Sequence, residues 1–332
     1  MRVRVMAAAR RCLLGMLCVA AWNPAAALTI ADHPALEEFA ARMERKHNFT
    51  RAELEAVFSG VTLRPAVLEA IRRPAESLPW HRYRKIFLTE ANVAGGVKFW
   101  RAHRATLVRM EKKFGVPPEV VVAIIGVETR YGENKGAIPV LDSLATLALR
   151  YPKRAAFFTA ELEQFLVLCR EENFTPHSLR GSYAGAMGIP QFISSSYRNY
   201  AVDFNGDGRR DLLGEPADAI GSVGNYLSRH RWRAGFPVAL PVSVTQGAEP
   251  GDGLQPQLTV AQLRGRGVQL DADIALDQHK AMLVELELED AAEHWIGLEN
   301  FFVITRYNRS KLYAMAVHRL SRRIAERWHA AH

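Results

Sequence analysis

Apolar positions along the chain fall into two registers. From 33 to 114 they recur at helical spacing: Leu36, Phe39 and Met43, then Leu54, Val57 and Phe58, with Thr50 and Glu53 placed as a capping box before the second set. Val120 to Ile125 is apolar all round, which predicts a helix buried on every side. Pro117-Pro118 and Glu119 mark its start, because first-turn N–H groups lack intrahelical partners and an acid suits the positive end of the helix dipole. Gly132 is its expected stop. Leu141 to Leu149, Arg154 to Cys169, Pro216 to Arg231 and Ser310 to Trp328 read as further helices, and Asn134 to Ala137 and Gly247 to Gly253 as loops. Between the last two helices the period becomes two: Val238, Leu240, Val242 and Val244 alternate, as do Met282, Val284, Leu286 and Leu288 around Glu285 and Glu287. The pattern predicts an α+β chain, mostly α-helical, with one small β-rich module before the terminal helix.

The buried helix ends on a carboxylate. Glu128 falls in its last turn, near the negative end of the dipole and among apolar neighbours, and both disfavour the charged form. A carboxyl held protonated in this way is a candidate general acid; the alternative is an ion pair with Arg130 at a helix end.

Three other stretches carry possible chemistry. Gly181 to Phe192 is a run of small residues with Ser182 and Gln191 near its ends, either a close-approach surface for a flat sugar or a tight connector between helices. Asp203-Phe204-Asn205-Gly206-Asp207-Gly208-Arg209-Arg210-Asp211 has oxygen donors at the first, third, fifth and ninth positions of an EF-hand loop and glycine at the sixth. Its twelfth position is Gly214, so Asp218 is the nearest replacement ligand and the Arg209 carbonyl fills the backbone position; a metal-free Asp/Asn/Gly turn is the alternative. Aromatic residues cluster at Trp80-His81-Arg82-Tyr83-Arg84 and at Tyr307 to Tyr313, suited equally to core packing and to a carbohydrate wall.

Composition narrows the setting. A basic start with Arg2, Arg4, Arg10 and Arg11, a short apolar run from Cys12 to Trp22 and Ala25-Ala26-Ala27 make a secretory signal, too short for a membrane span. Gly15-Met16-Leu17 before Cys18 fits a lipoprotein signal poorly, so the expectation is a soluble exported protein. Removing the four arginines takes the formal charge from +8 to +4 and leaves Cys169 as the one cysteine, so no intrachain disulfide can form. The modest positive balance suits an acidic polymer, and no nucleic-acid motif is present.

These motifs, in this order, closely resemble the lytic murein transglycosylase B family of bacterial cell-wall enzymes. The resemblance rests on Gly126-Val127-Glu128-Thr129-Arg130-Tyr131-Gly132, Gly181 to Phe192, the Asp203 loop, Asp218-Ala219-Ile220-Gly221-Ser222-Val223 and Ile304-Thr305-Arg306-Tyr307-Asn308-Arg309-Ser310. It implies a lysozyme-like catalytic domain with an EF-hand-type loop (114–235), an accessory helical region (28–113), a small β domain (236–300) and a closing helical segment (301–332), behind a signal peptide (1–27). It implies Glu128 as sole acid/base and Tyr83, Ser182, Gln191, Tyr226, Tyr307, Asn308 and Tyr313 as groups lining the sugar cleft. Ca2+ held by Asp203, Asn205, Asp207, Arg209 and Asp218, peptidoglycan glycan strands as partner and a periplasmic location complete the expectation. Phe157 stands where the family has tyrosine, and Ile189-Pro190 precedes Gln191 as a second departure. The implied reaction is non-hydrolytic cleavage of the bond between N-acetylmuramic acid and N-acetylglucosamine; a hydrolytic muramidase and a non-catalytic peptidoglycan-binding protein are the competing readings.

Overall fold

The computed structural model describes residues 28–245, 251, 253–270 and 275–331. The signal segment and most of the loop expected from Gly247 to Gly253 lie outside the described residues. In chain order the elements are α1 (Pro34–His47), α2 (Arg51–Ser59), α3 (Pro65–Ala70), α4 (Trp80–Phe87), α5 (Glu90–Ala102), α6 (Arg104–Phe114), α7 (Pro118–Thr129), β1 (Ile138–Pro139), α8 (Val140–Arg150), α9 (Ala155–Glu171), β2 (Arg180–Gly181), α10 (Ser194–Tyr200) and α11 (Pro216–Arg229). There follow β3 (Ala239–Val244), β4 (Leu258–Thr259), α12 (Val260–Arg264), β5 (Val268–Leu270), β6 (Lys280–Glu287), β7 (Ala292–Gly297), α13 (Glu299–Tyr307) and α14 (Lys311–Ala330).

Helix α7 is the hub, packed by α14, α5, α11 and α6. That explains its all-round apolar sequence: Val121 to Ile125 are fully buried and Val120 nearly so. One continuous core runs from Leu28 through α7 to Trp328, so the helices before 114 share it with the rest. The first helix is tied in by charge, since Arg42, Lys46 and His47 all meet the Glu163 carboxylate on α9 at 3.0, 2.7 and 2.9 Å. At the other end Trp100 and Trp328 stack with ring centroids 4.8 Å apart.

The five-stranded sheet has the order β4-β6-β7-β3-β5, and its pairs are antiparallel. Alternation along β6 is read correctly from the sequence, because Met282, Val284 and Leu286 join the main core. The opposite face is also covered: Ala281 and Leu283 join a second, smaller core with Val260, Leu263, Val268 and Ile296. Elements β4, α12 and β5 were not expected, since two to five residues are too few to display a period. Trp80 anchors the sheet to the helices by donating its indole N–H to Glu293 at 2.7 Å. Trp80 is therefore core packing, the less chemical of the two readings of the 80–84 strip.

Candidate functional site

Helix α7 ends at Thr129, earlier than the expected stop. Gly132 is not the cap: Arg130 and Tyr131 take the left-handed conformation first, at φ 50° and 64°. Two consecutive non-glycine residues there are strained, and the surroundings hold them. The Arg130 N–H bonds the Gly126 carbonyl at 3.0 Å, and the Tyr131 N–H bonds that of Ile125 at 3.3 Å. The Tyr131 hydroxyl donates to the Asn92 carbonyl at 2.6 Å. Its ring lies flat on glycines, since a Cβ at Gly126 would come within 2.6 Å of the phenol oxygen and one at Gly95 within 2.7 Å of the ring. Thr129 closes the turn by donating to the Ile189 carbonyl at 2.8 Å and accepting from the Gly132 N–H at 3.0 Å.

This turn sends Arg130 out to solvent while Glu128 stays half-buried, so the ion pair between them does not form. Glu128 has no cationic partner among the described residues. Its Oε1 accepts from the Tyr313 hydroxyl at 2.6 Å, a contact spanning 185 residues and made possible because α14 crosses α7. Burial pushes the Glu128 carboxyl up to about 7; the Tyr313 hydrogen bond opposes this and the negative charge of Glu76 adds to it. A carboxyl titrating there can donate a proton near neutrality and take one back.

The other expected tyrosines gather around it. Tyr307 and Tyr313 are stacked with centroids 6.3 Å apart, Tyr226 packs edge-on against Tyr307 at 4.9 Å, and Phe192 lies tilted against it at 5.8 Å. Tyr83 is buried, its phenol proton held by burial and then by the charges of Glu76 and Glu128. Two hydroxyls serve as braces: Tyr307 donates to the Pro190 carbonyl and Tyr226 to the Arg306 carbonyl, each at 2.5 Å. Phe157 is exposed, with the Arg154 guanidinium 4.2 Å over its ring.

The small-residue run is a close-packed connector. A Cβ at Gly181 would stand 2.1 Å from the Ala186 carbonyl oxygen, and one at Gly136 2.2 Å from that of Gly181. Ser182 accepts from the Ala184 and Ala186 N–H groups at 3.3 and 3.1 Å, leaving its own hydroxyl proton to donate. Gln191, at φ 49°, spends its amide N–H groups on the Lys135 and Gly188 carbonyls at 3.1 and 2.9 Å, which leaves its side-chain carbonyl as acceptor. Asn308 is the remaining expected cleft residue, and its Nδ2 donates to Glu76 Oε1 at 2.8 Å. Glu76 was missed by sequence reasoning. It sits in a turn flanked by Pro74 and Pro79, where no periodicity or motif marks it.

In the acidic loop, Asp203 accepts the N–H groups of Gly206, Asp207 and Gly208 at 2.7, 3.1 and 2.8 Å. Asn205 accepts from the Asp207 N–H and Asp207 from that of Arg209, so the loop is wound by side-chain to backbone bonds. Asp218 is fully buried, and its carboxylate accepts from Phe204, Asn205 and Asp211 at 2.7, 3.2 and 2.8 Å. Asp203 also accepts three backbone N–H groups, so depth in the fold rather than acceptor count sets Asp218 apart. It braces the loop from within. Asp211 and Glu215 each keep one carboxylate oxygen clear of the loop's backbone bonds. Oxygen-only donors suit a hard cation, and Asp203, Asn205 and Asp207 fit calcium.

Residues 31–322 match the family described as "Transglycosylase SLT domain". The chain is 42% identical over 307 residues to the membrane-bound lytic murein transglycosylase B of Escherichia coli (strain K12), covering 89% of this chain and 84% of that one. Its structure is similar to the catenated lytic transglycosylase SltB1 of Pseudomonas aeruginosa, with TM-score 0.84 and 44% identity over 89% of this chain and 98% of the other. It is also similar to Escherichia coli Slt35 in complex with calcium, with TM-score 0.83 and 41% identity over 90% and 95% of the two chains. Family model, sequence relatives and fold agree: the chain belongs to the transglycosylase SLT domain family, as a lytic transglycosylase of the murein transglycosylase B type.

Proposed function

We propose that the protein cleaves the β-1,4 bond between N-acetylmuramic acid and N-acetylglucosamine in peptidoglycan glycan strands and leaves 1,6-anhydromuramoyl ends. The observation that carries this reading is the Glu128 carboxyl, unpaired by any cation among the described residues and pushed up to about 7. Protonated Glu128 donates to the bridging oxygen, the bond from that oxygen to C1 of the muramoyl residue breaks, and positive charge builds on the ring. The Glu128 carboxylate then takes the proton of the C6 hydroxyl, whose oxygen bonds to C1 and closes the anhydro ring. One group thus serves as acid and then base, and no water enters.

Tyr313 orients the carboxyl and steadies it between the two steps. Tyr307 and Tyr226 hold the wall of aromatic rings, while the Ser182 hydroxyl, the Gln191 carbonyl and Asn308 supply directional contacts to sugar hydroxyl and acetamido groups. The loop carrying Asp203, Asn205 and Asp207 would hold calcium, which ties the entry of α11 to the preceding turn as a structural ion. Export to the periplasm through the 1–27 signal brings the enzyme to its polymer. No helix among the described residues is long and apolar enough to cross a membrane.

Glu76 favours a second reading. Glycosidases that add water use two carboxyl groups, and Glu76 could serve as the second by activating a water. Its carboxylate is engaged by Asn308, which fits a fixed group better than a proton shuttle. Glu128→Gln tests the proposal: the amide keeps the shape but cannot deliver a proton, so turnover of purified sacculi should fall by about 10²–10⁴ while sacculus binding persists. Near-normal turnover in the folded variant rejects it.

A further inference from the structure

Glu76 lies in a single 3-10 turn, Ala75–Ser77, between α3 and α4. It is half-buried, and its Oε1 receives the Asn308 Nδ2 proton at 2.8 Å across 232 residues of chain. An ionised carboxylate only accepts, so this contact decides which way the Asn308 amide faces: the NH2 toward Glu76, the carbonyl oxygen left for a ligand. Arg306, Arg309 and Lys311 line the same hollow of about 710 Å³ as Glu76 and Glu285, yet no ion pair forms between Glu76 and any Lys, Arg or His among the described residues. The charge of Glu76 is felt at Glu128, Tyr83 and Tyr183, where burial does most to retain the proton and Glu76 adds to it.

We propose that Glu76 is a positioning residue for the transglycosylase reaction: it fixes the Asn308 amide with its carbonyl turned to substrate, and through that fixed place its carboxylate bears on Glu128. The inference rests on Glu128 being the general acid. The titratable groups that face Glu128 are Tyr313 on α14, Tyr307 at the end of α13, Tyr83 on α4 and Glu76 itself. Of these, Glu76 is the one carboxylate. Without it Glu128 ionises at lower pH, and the acid form is lost earlier as pH rises.

Turnover of soluble glycan strands against pH and substrate concentration, for Glu76→Gln and Glu76→Ala, separates the two roles. The glutamine carbonyl still accepts from Asn308 but carries no charge. Glu76→Gln should therefore keep KM and move the alkaline limb of kcat to lower pH by a few tenths of a unit to about one unit. Glu76→Ala should show the same shift and also raise KM by about 3- to 10-fold, the worth of one hydrogen bond. An alkaline limb unmoved in Glu76→Gln overturns the proposal, as does an unchanged KM in Glu76→Ala. Abolished turnover in Glu76→Gln overturns it too, by making Glu76 the base that activates water. Glu128→Gln in the same assay keeps the two questions apart: if it is active the acid assignment fails, whereas if it is dead while Glu76→Gln is unshifted only the role of Glu76 fails.

Discussion

The Tyr313 hydroxyl donates to Glu128 Oε1 across 2.6 Å, joining the first turn of the last helix to the last turn of the central one. The contact favours the carboxylate, so it works against the burial that pushes Glu128 up to about 7. Tyr313→Phe keeps the ring and its stacking on Tyr307 but removes this opposition. Its alkaline limb in kcat should move to higher pH, opposite to Glu76→Gln, with a rate loss at neutral pH because the carboxylate is no longer oriented by the hydroxyl. A limb displaced toward acid would show that Tyr313 does not stabilise the Glu128 anion.

Ionising the buried Glu128 carboxyl costs stability. Its carboxyl is raised from 4.5 to about 7 on folding, so the folded state holds a proton that the unfolded chain releases between those values. The stability contributed is complete below 4.5 and is lost as pH rises through about 7. Glu128→Gln, which has no charge to bury, should melt above the wild type at pH well above 7, and the gap should close toward pH 5. Equal melting temperatures under alkaline conditions would show that ionised Glu128 is not penalised.

Glu163 has the opposite sign. Burial raises its carboxyl, but hydrogen bonds from His47, Lys46 and Arg42 outweigh burial and bring it down to about 2. Its stabilising effect is present above the ordinary 4.5 and lost as pH falls toward about 2. Arg42 and Lys46 are partly exposed, which weakens the pairs, so Glu163→Gln should cost about 1–3 kcal/mol in urea unfolding at neutral pH. No change in the midpoint would mean that α1 docks on α9 by apolar contact alone.

For the acidic loop, calcium should raise the melting temperature of metal-free protein by mass action, and Asp203→Ala with Asp207→Ala should erase the shift. Asp218→Ala should lower the midpoint with or without calcium, because three backbone N–H groups lose a buried acceptor at about 1–3 kcal/mol each. Loss of the calcium response in Asp211→Ala would place a ligand there. An unchanged midpoint on adding calcium to verified metal-free protein would remove the ion from the loop.

The central helix and its acid were legible because their signal is local: a saturated apolar run can only be buried all round, and a glutamate at its end has little choice of environment. The tyrosines were legible as a set, through the resemblance, but their hydroxyl partners were not. Tyr307 and Tyr226 turn theirs to backbone carbonyls, which no side-chain pattern announces. The helix stop went to Arg130 rather than Gly132 because Tyr131 needs that turn to reach Asn92, a contact between distant segments. Asp218 was legible as a residue of the loop by type, but its depth in the fold and its three backbone partners were not. Glu76 could not have been found, since its meaning comes from distant residues, Asn308 above all, 232 positions away.

The most direct measurement is a mass spectrum of the muropeptides released from purified sacculi by the wild type and by Glu128→Gln. Closure of the C6 oxygen onto C1 predicts anhydromuramoyl ends, lighter by one water than reducing ends, from the wild type and almost no release from the variant. Reducing ends carrying oxygen from labelled water would contradict the account and assign the protein to hydrolysis.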